Sequence, residues 1–146
     1  MMDHLVERLR TPEECESFAR NAAARKRPDL VLEALRKGVE MKAAQQNAAT
    51  PLETEAFTSL FAHEAVLTHQ RGKKTRATRA WAIIRHHGVV EAINRTIDRP
   101  TEAADYETLR EMGIAEWSFE ALILRHPEAF TPEAVALATA RTAERT

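Results

Sequence analysis

Apolar residues along this chain recur at spacings of three and four and nowhere alternate, which is the period of helices packed on one face. The pattern predicts helices over about 3–9, 12–25, 29–46, 51–69, 76–87, 89–98, 102–112, 119–126 and 132–144, with ends good to a few residues. Punctuation supports them. Thr11-Pro12-Glu13-Glu14 and Thr50-Pro51-Leu52-Glu53 each read as a hydroxyl cap, a proline in the first turn and a glutamate three residues on. Thr131-Pro132-Glu133 is a weaker copy, and Ser118 stands where it could cap the helix opening at Phe119. Gly72, Gly88 and Gly113 fall where helices should stop. The pairs Ile83-Ile84 and Val89-Val90 lack the alternation and turn residues of strands. The expected architecture is all-α: a single domain over 1–146, a compact bundle or stack of eight to nine short helices on short loops. Stacking as helical-hairpin repeats fits the same lengths, although no sequence repeat of fixed period is present.

Two helical wheels refine this picture. In the third helix Leu30, Val31, Leu32, Ala34, Leu35, Gly38, Val39, Met41 and Ala43 fill an arc of about 220°, which predicts a central position with neighbours on two sides. Leu35→Asp is then expected to unfold the domain by burying an unpaired charge. The 51–69 helix gathers Leu52, Ala56, Phe57, Phe61, Leu60 and Leu67 on one face, where His63 and Glu64 intrude as polar groups at a helix contact.

Composition changes little. Alanine, leucine, glutamate and arginine dominate, glycine is scarce, and 44% of residues are hydrophobic against 29% charged. A lone cysteine, Cys15, spaced with Phe18 and Ala22 as a core residue, excludes an internal disulfide. No basic-then-apolar leader opens the sequence, and no run approaches the ~20 apolar residues of a membrane helix, so a cytoplasmic protein without membrane contact is expected.

Charge changes more. The net value is −1, but residues 71–99 carry eight Lys/Arg against two acids, while both flanks are net acidic. Arg71, Lys73, Lys74, Arg76 and Arg79 lie in or beside a loop that leads into a helix whose inward stripe is Ala77, Ala80, Trp81 and Ile84. Such a cluster gains affinity for nucleic acid by displacing the counterions of phosphates. Those five side chains are the candidate nucleic-acid-binding residues. The competing reading is a solvated face, or cations paired with the protein's own acidic flanks.

Gly88 between two helices invites comparison with a helix-turn-helix, but bulky Ile84 stands where that fold wants a small residue, and Asn94 where it wants an apolar one. The outward residues of the second helix, Glu91, Asn94, Arg95 and Asp98, make a poor base-reading face, so backbone contact is expected instead. Gly72-Lys73-Lys74-Thr75 resembles the tail of a phosphate-binding loop, yet Leu67 occupies the place of its first glycine and a helix precedes it where a strand is required.

Catalytic and metal patterns are weak. His63 and His69 lie about 240° apart on a helix, His86 and His87 about 100°, and a single cysteine excludes thiol-rich zinc sites. No catalytic residue, metal or cofactor is assigned, and no enzyme activity is expected. The alternative function is a protein-interaction or homo-oligomerisation module through 117–141, where Trp117, Phe119 and Phe130 stand in an acidic tail and Ala134, Leu137, Ala138 and Arg141 form a weak stripe.

Overall fold

The computed structural model describes residues 4–143, and within them the side chains of all but 100–104. The described residues hold nine α-helices and no strand, and 78% of the fold is helical. The chain divides into two compact units, Met1–Asn47 and Ala48–Thr146. The predicted helix ends at 3 and 144 lie outside the described residues.

The first unit contains α1 (His4–Glu7), α2 (Pro12–Ala24) and α3 (Pro28–Ala44). Thr11 caps α2 as its sequence requires, its Oγ1 accepting the Glu14 N–H at 3.1 Å, while Glu14 Oε1 reaches back to the Arg10 N–H at 3.0 Å. Helices α2 and α3 form a hairpin packed closely at Gly38: a Cβ there would stand 3.2 Å from Cys15 Cβ. Cys15 is buried with its sulfur 4.0 Å from Met41 Sδ. Lys37 crosses to α1 and donates from Nζ to the carbonyls of Val6 and Glu7, both at 2.8 Å, closing a helix end too short to satisfy itself. The buried residues of α3 are Leu30, Ala34, Gly38, Val39 and Ala43. Leu35 is only half-buried, so an aspartate there reaches water; the expected severe position moves to Ala34, which is fully buried.

The second unit is built around α4 (Pro51–Arg71), against which α6 (Val89–Thr96), α7 (Pro100–Glu111), α8 (Phe119–Arg125) and the 3₁₀ turn Ala115–Trp117 all pack. Helices α5 (Thr78–His87) and α9 (Pro132–Ala143) complete it, and a second 3₁₀ turn spans Pro127–Ala129. Between Ala56 and Val66, α4 buries Phe57, Ser59, Leu60, Phe61, Ala62, His63 and Glu64, far more of its circumference than the one apolar face its sequence suggests. Small Ser59 and Ala62 allow neighbours onto the side that a hydrophobic wheel marks as open.

This core is partly polar. His63 lies 5.0 Å from the Phe119 ring, and its Nδ1 is 3.4 Å from Asp105 Oδ2. Asp105 Oδ1 meets the Gln70 amide at 3.5 Å. Glu120, nearly inaccessible, accepts from Arg141 Nη1 at 3.0 Å, and Arg141 Nη2 donates to the Arg99 carbonyl. Burial pushes the His63 imidazole down to about 4, and it pushes the Asp105 and Glu120 carboxyls up against the opposing pull of Gln70 and Arg141. Ser118 caps α8 through the Ala121 N–H at 3.0 Å, and Thr131 caps α9 through the Ala134 N–H at 3.1 Å.

Removing one member of the Glu120–Arg141 pair strands the other charge. Arg141→Met is expected to lower unfolding free energy by about 3–5 kcal/mol, and Glu120→Leu added to it to recover much of the loss, both read by urea denaturation. His63 sets a pH dependence of known sign. Below pH 6.5 the unfolded imidazole takes a proton that the folded one refuses until about pH 4, so its contribution to stability falls as pH drops through that window. The melting temperature of His63→Gln should therefore gain on that of the native chain between pH 7 and pH 4.5. A constant gap between the two would contradict this.

Candidate nucleic-acid interface

The basic segment is shaped by the end of α4. Gly72 terminates that helix in the left-handed conformation, φ 70° and ψ 11°, with its N–H on the Thr68 carbonyl. The chain then turns through Lys73 and Lys74 and is clasped to α4 by two threonines. The Thr75 N–H donates to Thr68 Oγ1 at 3.0 Å, the Thr68 hydroxyl faces the Thr75 carbonyl at 3.4 Å, and Thr75 Oγ1 closes on the Lys73 carbonyl at 2.9 Å.

A second tether lies one turn deeper. The buried carboxylate of Glu64 accepts, at the single atom Oε2, the Trp81 indole N–H at 2.7 Å and the Ala77 N–H at 2.9 Å. Ala77 immediately precedes α5 and has no side-chain oxygen to cap it, so the carboxylate fixes where that helix starts. The Trp81 ring lies 6.2 Å from Phe57 and 5.8 Å from Phe61, both on α4, and Ala80 is buried beside it in sequence. The polar intruder on the α4 wheel is thus the anchor of the basic segment. Its signal in the sequence was a carboxylate on an apolar face; its partners, 13 and 17 residues away, left none.

The five sequence-predicted side chains do not share one environment. Arg71 sits at the exposed end of α4, Lys73 and Lys74 on the exposed turn, and Arg79 on the outer face of α5. Among the described residues, no carboxylate lies within 4.0 Å of any of these four. Arg76 differs. The helix begins at Thr78, so Arg76 precedes α5 and does not share its wheel. Its guanidinium lies 4.6 Å over the Trp81 ring, and Nε is 3.7 Å from Glu64 Oε2. More than half its side chain stays exposed, so the pairing orients it without burying it.

Gly88 joins α5 to α6 alone, at φ 86° and ψ 167°, and α6 buries Val89, Ala92, Ile93 and Thr96. The outward side of α6 is occupied: Glu91 pairs with Arg95 at 3.1 Å, and Asn94 Oδ1 accepts the Thr131 N–H at 3.1 Å. Of the four outward residues three are thus engaged within the protein, and the fourth, Asp98, is an acid. In the tail, Phe119 and Phe130 are buried within their own unit, and Ala134 and Ala138 are buried on a helix that packs on α8.

Two variants test this construction by chemical denaturation. Glu64→Leu leaves two donors without an acceptor and should cost about 2–4 kcal/mol, with Glu64→Gln losing clearly less because its amide oxygen still accepts from the indole. Gly72→Ala meets open space at the new methyl but a backbone that L residues resist, so a loss of about 1 kcal/mol is expected, confined to strain.

Comparison with family models, with curated proteins and with solved structures finds no match to this chain.

Proposed function

We propose that this protein binds nucleic acid through its phosphate backbone, using Arg71, Lys73, Lys74, Arg76 and Arg79. One observation carries the reading: four of these five cations are exposed with no carboxylate of the described chain within 4.0 Å, and the fifth is held out over Trp81. Among the described residues, the acidic flanks bring a carboxylate within 4.0 Å of only one of the five, Arg76. A cationic group already satisfied internally releases no counterions on binding, whereas a free one does.

The occupied outer face of α6 supports backbone contact over base readout. The clasped turn supports it as well. Two tethers hold the loop before a ligand arrives, so less ordering entropy opposes binding. The reading through an interaction surface at 117–141 draws less support, since two of its three aromatics are buried in the unit that carries them.

Fluorescence anisotropy against labelled nucleic acid at 50 and 200 mM salt tests the proposal. Affinity should fall steeply with salt. Lys73→Gln with Lys74→Gln should reduce the slope of log K against log salt by about two, since each lost phosphate contact removes about one. Absence of binding at 50 mM salt would refute it.

A further inference from the structure

The sequence reading ends the basic site at Arg79, but the exposed surface of α5 does not end there. Thr78, Arg79, Ala82, Arg85, His86 and His87 are all exposed on this helix. At 100° per residue, Arg85, Thr78, Ala82, His86 and Arg79 occupy a continuous arc of about 120°. Two short side chains, Thr78 and Ala82, lie in its middle, and an arginine stands at each edge. Arg79 and Arg85 are six residues apart, about 9 Å along the axis. Arg85, like Arg79, has no carboxylate within 4.0 Å among the described residues. Opposite this arc lies the buried Ala80, and the anchored Trp81 flanks the arc beyond Arg85.

The same region is poor in what a single strand requires. Proteins that bind single strands without sequence preference offer aromatic faces on which bases stack. Among the described residues, the exposed large apolar side chains are Leu5 and Leu124, neither aromatic. Trp81 is the one indole or phenyl ring on α5 and its loop; the exposed imidazoles of His86 and His87 stand at the far end of the helix. The Trp81 N–H is taken by Glu64, its ring is flanked by Phe57 and Phe61, and the Arg76 guanidinium lies over it. It cannot serve as a platform without dismantling the anchor.

We infer that the ligand of the basic site is a nucleic-acid duplex, gripped on its phosphates without regard to base sequence, and that the outer face of α5 with Arg85 is the second half of that site. This rests on the proposed phosphate-binding function and deepens it. A duplex presents a charge every ~1.7 Å of its axis, so it can engage the turn and both edges of α5 together. The low side chains between Arg79 and Arg85 let the helix surface come close while the two arms reach outward.

The test uses the full chain with two probes, a 20-base-pair DNA duplex and a 20-nucleotide oligo-dT, by anisotropy between 50 and 200 mM salt. Six phosphate contacts predict a loss of duplex affinity of about 10³-fold across that range, and tighter binding of duplex than of oligo-dT at 50 mM. Arg85→Gln should lower the duplex salt slope by about one and leave the melting temperature unchanged. Equal or tighter binding of oligo-dT would overturn the inference. So would an Arg85→Gln slope matching the native one while Lys73→Gln with Lys74→Gln still lowers it, and in that case the phosphate-binding reading survives. Failure of the native chain to bind either probe removes both.

Discussion

The placement of Arg76 and of α5 depends on one oxygen atom. Glu64 Oε2 lies in the wall of the core and collects the indole of Trp81 and the amide of Ala77. Magnitudes say which of its interactions matters. Hydrogen bonds to a charged acceptor are worth about 1.5–3 kcal/mol each, and leaving their buried members unsatisfied costs a comparable amount. The 3.7 Å approach of Arg76, whose side chain is 57% exposed, belongs with surface ion pairs, where about 0–1 kcal/mol is usual. Glu64 therefore acts as an anchor for the segment and only incidentally as a counter-charge. A buried acid bound to neutral donors is one counter-charge fewer for the surface bases.

The same economy runs through the core of the larger unit. Glu120 and Arg141 neutralise one another away from solvent, and His63 sits against Asp105 and Phe119. Such groups add little net stability, but they penalise any packing that separates them. Two acids are engaged away from the basic strip in this way: Glu120 of the tail has its own arginine, and Glu55 of α4 holds Arg125 and His126 at 3.0 and 2.9 Å.

What could be read from the sequence was local. Thr11, Thr50, Ser118 and Thr131 each cap the helix their position announces, because a hydroxyl and the amide three residues on are neighbours in any helix start. The wheel of α5 likewise placed Ala80 and Trp81 inward and Arg79 outward. What escaped was set by distant partners. Arg76 looks like the first residue of α5 until Glu64 fixes the start two residues later, at Thr78. Helix α4 looks one-sided because Ser59 and Ala62 lie off its apolar stripe, and only the helices packed on α4 make them interior. Leu35 looks central on a wheel that cannot say which side of α3 meets a neighbour. The 3₁₀ turns at Ala115–Trp117 and Pro127–Ala129 are too short to leave a period.

Gly88 has a mechanical meaning beyond ending one helix and starting another. Its φ of 86° with ψ of 167° belongs to a region that side-chain-bearing residues essentially do not occupy, and it is the whole connection between α5 and α6. With a single peptide hinge there is no slack to absorb error. The buried Val89, Ala92 and Ile93 of α6 act as a keel, and the bearing of α5 is inherited from them through one pair of torsions. A one-residue insertion at this joint would uncouple the bearing of α5 from α6 and so re-aim Arg79 and Arg85 together, although neither arginine had been touched.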